Sequence, residues 1–145
     1  MFSKACGYAI KAVIIISLNS GKNKLTGVKE ISEEIESPEA FTAKILQNLV
    51  KQEIISSKKG PNGGFFLNKK QIEKITLSDI VKAIDGDSLF VRCGLGLKQC
   101  SEKNPCPLHH EFKKIREQIK SLLESTPINT LSIKLIEGLG TLKLG

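Results

Sequence analysis

No stretch of the 145 residues approaches the roughly 20 consecutive apolar positions that a bilayer-spanning helix needs. Ala12 to Leu18 is only a short apolar run inside a helical pattern, so no membrane partner is expected. The segment Met1 to Tyr8 lacks a basic region, an apolar stretch and a small-residue cleavage site, which leaves a cytoplasmic, reducing location as the expectation. Arginine is missing from residues 1 to 70, where eleven lysines stand against six acids. There is no internal repeat, no low-complexity tract and no phosphate-cradling glycine motif, and no general base is marked beside any cysteine. An enzyme is therefore not expected.

What is present favours a polyanionic partner: the net charge is +7 and the isoelectric point is near 9.3. The excess sits in the N-terminal half, because residues 71 to 145 hold eleven basic and nine acidic side chains. With 40% hydrophobic and 26% charged residues, the chain can bury one core and carry an appendage. In a reducing compartment its four cysteines point to metal ligands or redox sensors more than to disulfides, the more so because three of them share one loop.

Apolar residues recur at helical spacing from Ala5 to Leu18, with Tyr8, Ala9, Ala12, Val13 and Ile16 on one side, until Asn19-Ser20-Gly21 stops the pattern. Cys6 on this helix reads as a small buried hydrophobe, the alternative being a sulfur that reaches a metal or cluster across a dimer. Val28 to Ile35 predicts a short second helix. Ser37 as N-cap, Pro38 at the first helical position and Glu39 in the first turn predict a third, with a core face of Phe41, Ile45, Leu46, Leu49 and Val50. Residues 54 to 59 read as a strand, 60 to 64 as a turn and 65 to 67 as a returning strand. Three helices followed by a hairpin make a winged helix. Thr76-Leu77-Ser78-Asp79 carries a capping pattern for a further helix that Asp85-Gly86-Asp87 ends. The expected fold is mainly α with a small β-hairpin. It divides into a winged helix-turn-helix at 1–87, a cysteine-rich loop at 88–107, and a long dimerisation helix with its tail at 108–145, in which 131 to 136 folds back.

A helix-turn-helix reads duplex DNA by placing the start of its second helix in the major groove. Here that helix would present Pro38, Glu39, Ala40, Ala43, Lys44 and Gln47, with small alanines allowing close approach, Gln47 suited to adenine, and Lys44 to guanine or phosphate. The wing would add Lys58 and Lys59 for phosphate neutralisation, on a backbone turned by Gly60, Asn62 and Gly63. Along the last long helix Leu108, Phe112, Ile115, Ile119 and Leu122 alternate spacings of four and three, the 3.5 period of a coiled-coil seam, which asks for a partner helix.

Cys93, Cys100, Cys106 and His109 are spaced C-x6-C-x5-C-x2-H in a stretch made pliant by Gly94 and Gly96. Soft thiolates with an imidazole suit an iron–sulfur cluster or zinc. Lys98, Lys103 and the start of the following helix would favour the thiolate form that binds metal.

Together these residues resemble the bacterial winged-helix regulators of the IscR and NsrR type over nearly the whole chain. The matching pieces are Tyr8-Ala9-Ile10-Lys11, Ile45-Leu46-Gln47-Asn48-Leu49, the stretch 56–65 through the wing, and 75–86. The resemblance implies a homodimer on a palindromic operator, each protomer holding one cluster that reports iron–sulfur status, nitric oxide or redox state. It implies a 2Fe–2S cluster with His109 as the fourth ligand, since Gly7 stands where NsrR-like members can place a carboxylate; a 4Fe–4S cluster or zinc would use the same donor types. Three departures stand out: the gap from Cys93 to Cys100 is one residue longer than usual, Lys59 replaces a common arginine, and Ala43 stands where IscR has an acid. A thiol-based or zinc-containing regulator is the alternative within the class. An iron–sulfur carrier or electron-transfer protein is the alternative outside it, one for which wing and basic helix would be unnecessary.

Overall fold

The computed structural model describes residues 1–98 and 101–142. The first helix, α1, spans Lys4–Ser20, with the Ser3 side chain accepting from the Cys6 amide at its start. It is followed by α2 (Val28–Glu34) and α3 (Glu39–Lys51). Cys6, Ala9, Ala12, Val13, Ile14, Ile16 and Ser17 of α1 are all buried, a wider face than a one-sided helix presents, because α1 is the central element of the domain. The small Ala9 and Ala12 let neighbouring backbones come close. Ile31, Leu46, Leu49, Ile55, Ile80 and Ile128 close around Ile16 to form the core.

The start of α3 differs from expectation by one residue. Pro38 holds the N-cap position in extended geometry, and Glu39 is the first helical residue. Ser37 does not cap; its hydroxyl pairs with that of Thr42, which in turn donates to the Pro38 carbonyl at 2.9 Å. Having spent its hydroxyl locally, Thr42 takes the buried position of the first turn at 1% exposure, and Phe41 is left at 39%. Phe41 is thus not a core residue. Its ring lies edge-on to Tyr8 with centroids 5.9 Å apart.

The hairpin consists of β1 (Ser56–Lys58) and β2 (Gly64–Phe66), antiparallel, with Ser57 opposite Phe65. Ile54 and Ile55 are not strand: their amides return to the Leu49 carbonyl and their side chains are buried. Thr26 pairs with Phe65 from the other side, its amide donating at 3.0 Å and its carbonyl accepting at 2.8 Å, which ties the wing to the loop before α2. Gly63 permits the turn, since a Cβ there would sit 2.0 Å from the Lys58 carbonyl oxygen.

Two short helices were not anticipated: α4 (Lys69–Lys74), opened by a capping box between Asn68 and Gln71, and α6 (Ser88–Val91). Between them α5 (Leu77–Asp85) begins with the Thr76/Asp79 capping box read from the sequence. The long helix α7 covers His109–Glu124, about 24 Å of rod. The last helix, α8, runs Ile128–Ile136, starts earlier than the expected residue 131, and returns onto α1 through Ile128 and Ser132. A second, small cluster of Cys6, Val81 and Leu123 joins α1, α5 and α7. No helix among the described residues is long and apolar enough to cross a membrane.

Candidate nucleic-acid interface and cysteine loop

The start of α3 faces outward. Pro38, Glu39, Ala40, Lys44 and Gln47 are exposed and Ala43 is half-buried, while Ile45, Leu46 and Leu49 hold the opposite side in the core. On the wing, Lys58, Lys59, Gly60 and Asn62 are exposed and Gly63 is half-buried. Among the described residues none of Lys44, Lys58 and Lys59 has an acidic partner, so these charges remain available to an external polyanion. A neighbouring feature was not apparent from the sequence: Lys4 and Lys11 lie over the Tyr8 ring at 5.9 and 6.0 Å from its centroid, beside Phe41. Their spacing, 4, 8 and 11, was the available signal for one helix face.

The cysteine loop brings together two of its proposed ligands. The Cys93 and Cys106 sulfurs are 4.0 Å apart. Two thiolates on one tetrahedral centre with metal–sulfur bonds of about 2.3 Å would stand about 3.8 Å apart, so this pair fits a shared metal or cluster iron within a few tenths of an ångström. Backbone N–H groups of Leu95 and Leu97 hold the Cys93 thiol below its ordinary pKa, with the Cys106 side chain adding to the effect, which favours the ligating thiolate. Cys100 lies outside the described residues. His109 opens α7, with its amide donating to the Cys106 carbonyl at 3.0 Å and the residue only 5% exposed. Its ring meets His110 edge-on at 5.2 Å and lines a hollow with Phe90, Glu102 and Lys113, whereas Cys93 lines a different hollow with Asp85 and Phe112. Among the described residues no three His, Cys, Asp or Glu side chains converge as a metal set.

The loop is fastened to α7 at three points that the sequence did not reveal. Arg116 donates to the Arg92 carbonyl at 2.9 Å, next to Cys93. Lys113 pairs with Glu102, lowering the pKa of that carboxyl mainly by its hydrogen bond. Gly94 lies so close to Phe112 that a Cβ at position 94 would sit 2.5 Å from the ring. Of the α7 stripe, Phe112 and Ile119 are half-buried, while Leu108, Ile115 and Leu122 remain 40, 49 and 60% exposed. The protomer itself leaves this seam largely uncovered.

An exposed helix start, a basic wing and a cysteine loop fastened to a rod define a winged-helix transcription regulator. Residues 2–133 match the sequence profile of Rrf2, described as an iron-dependent transcriptional regulator, and the chain belongs to that family. It is 35% identical to a protein of Aquifex aeolicus named for the HTH type of transcriptional regulator, with 90% of each chain covered. It is 26% identical to the IscR regulator of Sodalis glossinidius over 86% of this chain and 73% of the relative, and 26% identical to the NsrR regulator of Oceanobacillus iheyensis over 88 and 86%. These relatives are named as transcriptional regulators, and this protein is one, not an enzyme. The fold is shared with CymR, the global cysteine regulator of B. subtilis, at a TM-score of 0.74 and 20% identity over 92 and 96% of the two chains. It is also shared with T. potens IscR at 0.69 and 17% over 97 and 88%.

Proposed function

We propose that the protein acts as a homodimer, pairs its α7 seams, and binds a palindromic operator with an affinity set by an iron–sulfur cluster on the cysteine loop. The observation that carries the proposal is that sensing loop and dimer rod share one helix: Phe112, a seam residue, is also the surface on which Gly94 rests. A shift of Cys93 is passed through Gly94 to Phe112 and through the Arg92 carbonyl to Arg116, and hence to the spacing of the two α3 helices. Cys93, Cys106, Cys100 and His109 would hold the cluster, beginning from the Cys93 and Cys106 sulfurs 4.0 Å apart. Bound there, the cluster would supply a redox- and nitric-oxide-responsive centre. The chain's own part is to offer thiolates through the N–H groups of Leu95 and Leu97 and to hold the loop against α7.

On the DNA side, Ala40, Ala43, Lys44 and Gln47 would read base edges, Pro38 and Glu39 would set the helix entry, and the wing residues Lys58, Lys59, Gly60, Asn62 and Gly63 would track phosphate. The test is anaerobic purification with visible absorption, iron and sulfide analysis, sedimentation, and binding to the upstream region of its own coding segment. A coloured dimer with iron and sulfide, binding that fragment differently before and after cluster removal, is expected. A colourless zinc protein, or one that binds equally whether its thiols carry metal or not, overturns the cofactor assignment in favour of zinc or thiol chemistry. A monomer indifferent to DNA overturns the whole reading.

A further inference from the structure

We infer that the Lys4–Tyr8–Lys11 face of α1 is a second clamp for the DNA backbone, gripping phosphates that flank the groove entered by α3; this rests on the DNA-binding reading above. The three residues share one face of α1, and Phe41 links that face to α3 by its edge-on contact with Tyr8 at 5.9 Å. Phe41 lies in the first turn of α3, the part a helix-turn-helix inserts, and Lys44 follows it one turn on. The α1 face is therefore continuous with the reading helix, on the side where a backbone strand must pass.

Charge supports the same partner. The first acid of the chain is Glu30, so nothing on α1 opposes its lysines, and among the described residues neither Lys4 nor Lys11 forms an ion pair. Tyr8 stands between them, with both ammonium groups about 6 Å from the ring centroid. A ring steadies a cation without neutralising it, leaving full charge and all N–H donors for phosphate, whereas a carboxylate in the same place would cancel both. The competing possibility is an ordinary solvated face.

Salt titration of binding to a mixed-sequence duplex separates them, because each lost phosphate contact flattens the slope of log K against log salt by about 0.9. Lys4→Gln with Lys11→Gln removes four contacts from a dimer and should flatten it by about 3.6, on specific and non-specific duplex alike. Tyr8→Leu should flatten it partly, and Tyr8→Phe should behave as the parent protein. Lys22→Gln, an exposed lysine beyond the other end of α1, should leave the slope alone. If the double variant does not fold as a dimer, the single variants each carry half the expected change. An unchanged slope in the lysine variants, alongside a flattened one in Lys58→Ala with Lys59→Ala, overturns the clamp and keeps the regulator. An equal loss in Lys22→Gln overturns the clamp as mere net charge, and a parent protein that binds no duplex overturns both.

Discussion

Cys6 and Cys93 are the same side chain in two unlike regions. Cys6 lies in the small cluster where α1 meets α5 and α7, is fully buried, and has its thiol pushed up to about 12 by desolvation, with the Asp85 carboxylate adding to it. Cys93, also buried at 6% exposure, lies in a loop whose backbone amides pull its pKa down. One region favours the neutral thiol, and the other favours the thiolate. Their surroundings differ in the same way. The winged helix closes on its own core, Ile16, Leu46, Leu49 and Ile80 all at 0% exposure, whereas Val91, Leu95 and Leu97 around the cysteines and Ile115 and Leu122 on α7 remain exposed. The first region is finished by its own chain; the second is proposed to be finished by a second copy and a cofactor.

If that division is right, core truncations should act on folding and seam substitutions on assembly. Leu46→Ala should cost about 2–5 kcal/mol in denaturant unfolding, while Leu122→Ala should change the unfolding of diluted protomers by less than about 0.5 kcal/mol. Equal losses would erase the distinction. Ile115→Glu with Leu122→Glu should yield a monomer in sedimentation with unaltered far-UV circular dichroism, and a persisting dimer would move the seam elsewhere.

Smaller effects sharpen the contrast. Gly94→Ala drives a methyl group into the Phe112 ring and should cost about 1–3 kcal/mol, seen as faster amide exchange at the start of α7. Gly7→Ala meets nothing within 4 Å on a helix and should be neutral or stabilising by up to about 1 kcal/mol. A signature of another kind lies at high pH. The folded protein keeps the Cys6 proton that the unfolded chain releases near 9, so stability should fall as pH rises from about 9 to 12. Cys6→Ala should remove that part of the slope while the lysine and tyrosine contributions persist. In the folded protein at neutral pH, alkylation followed by mass spectrometry should label Cys93 well before Cys6.

Much of the frame was legible because it is written in short-range chemistry. Thr76 and Asp79 cap α5 from three residues apart, the glycines of 60–64 can only turn, and the 3.5-residue spacing from Leu108 to Leu122 marks an apolar stripe without knowledge of anything else. Asn68 and Gln71 carry the same kind of capping signal for α4, but a helix of six residues with no buried side chain offers no apolar period to go with it. The misplaced side chains have a different origin. Phe41 fits the apolar period of α3, yet Thr42 occupies the core because its hydroxyl finds partners in Ser37 and Pro38. Ile54 and Ile55 have strand composition, but the chain turns beneath them to reach Leu49.

Amino-acid order alone determined the succession of helices and wing, the basic excess of the first half, the clustering of cysteine and histidine and the apolar stripe of α7, because each is a matter of periodicity, local capping or composition. Only the tertiary structure decided that Cys93 meets Cys106, that Gly94 rests on Phe112, that Arg116 grips the Arg92 carbonyl, and that Tyr8 joins α1 to the start of α3. Those contacts depend on where separate elements come to lie against one another, and no residue spacing encodes a distance between elements that only packing brings together.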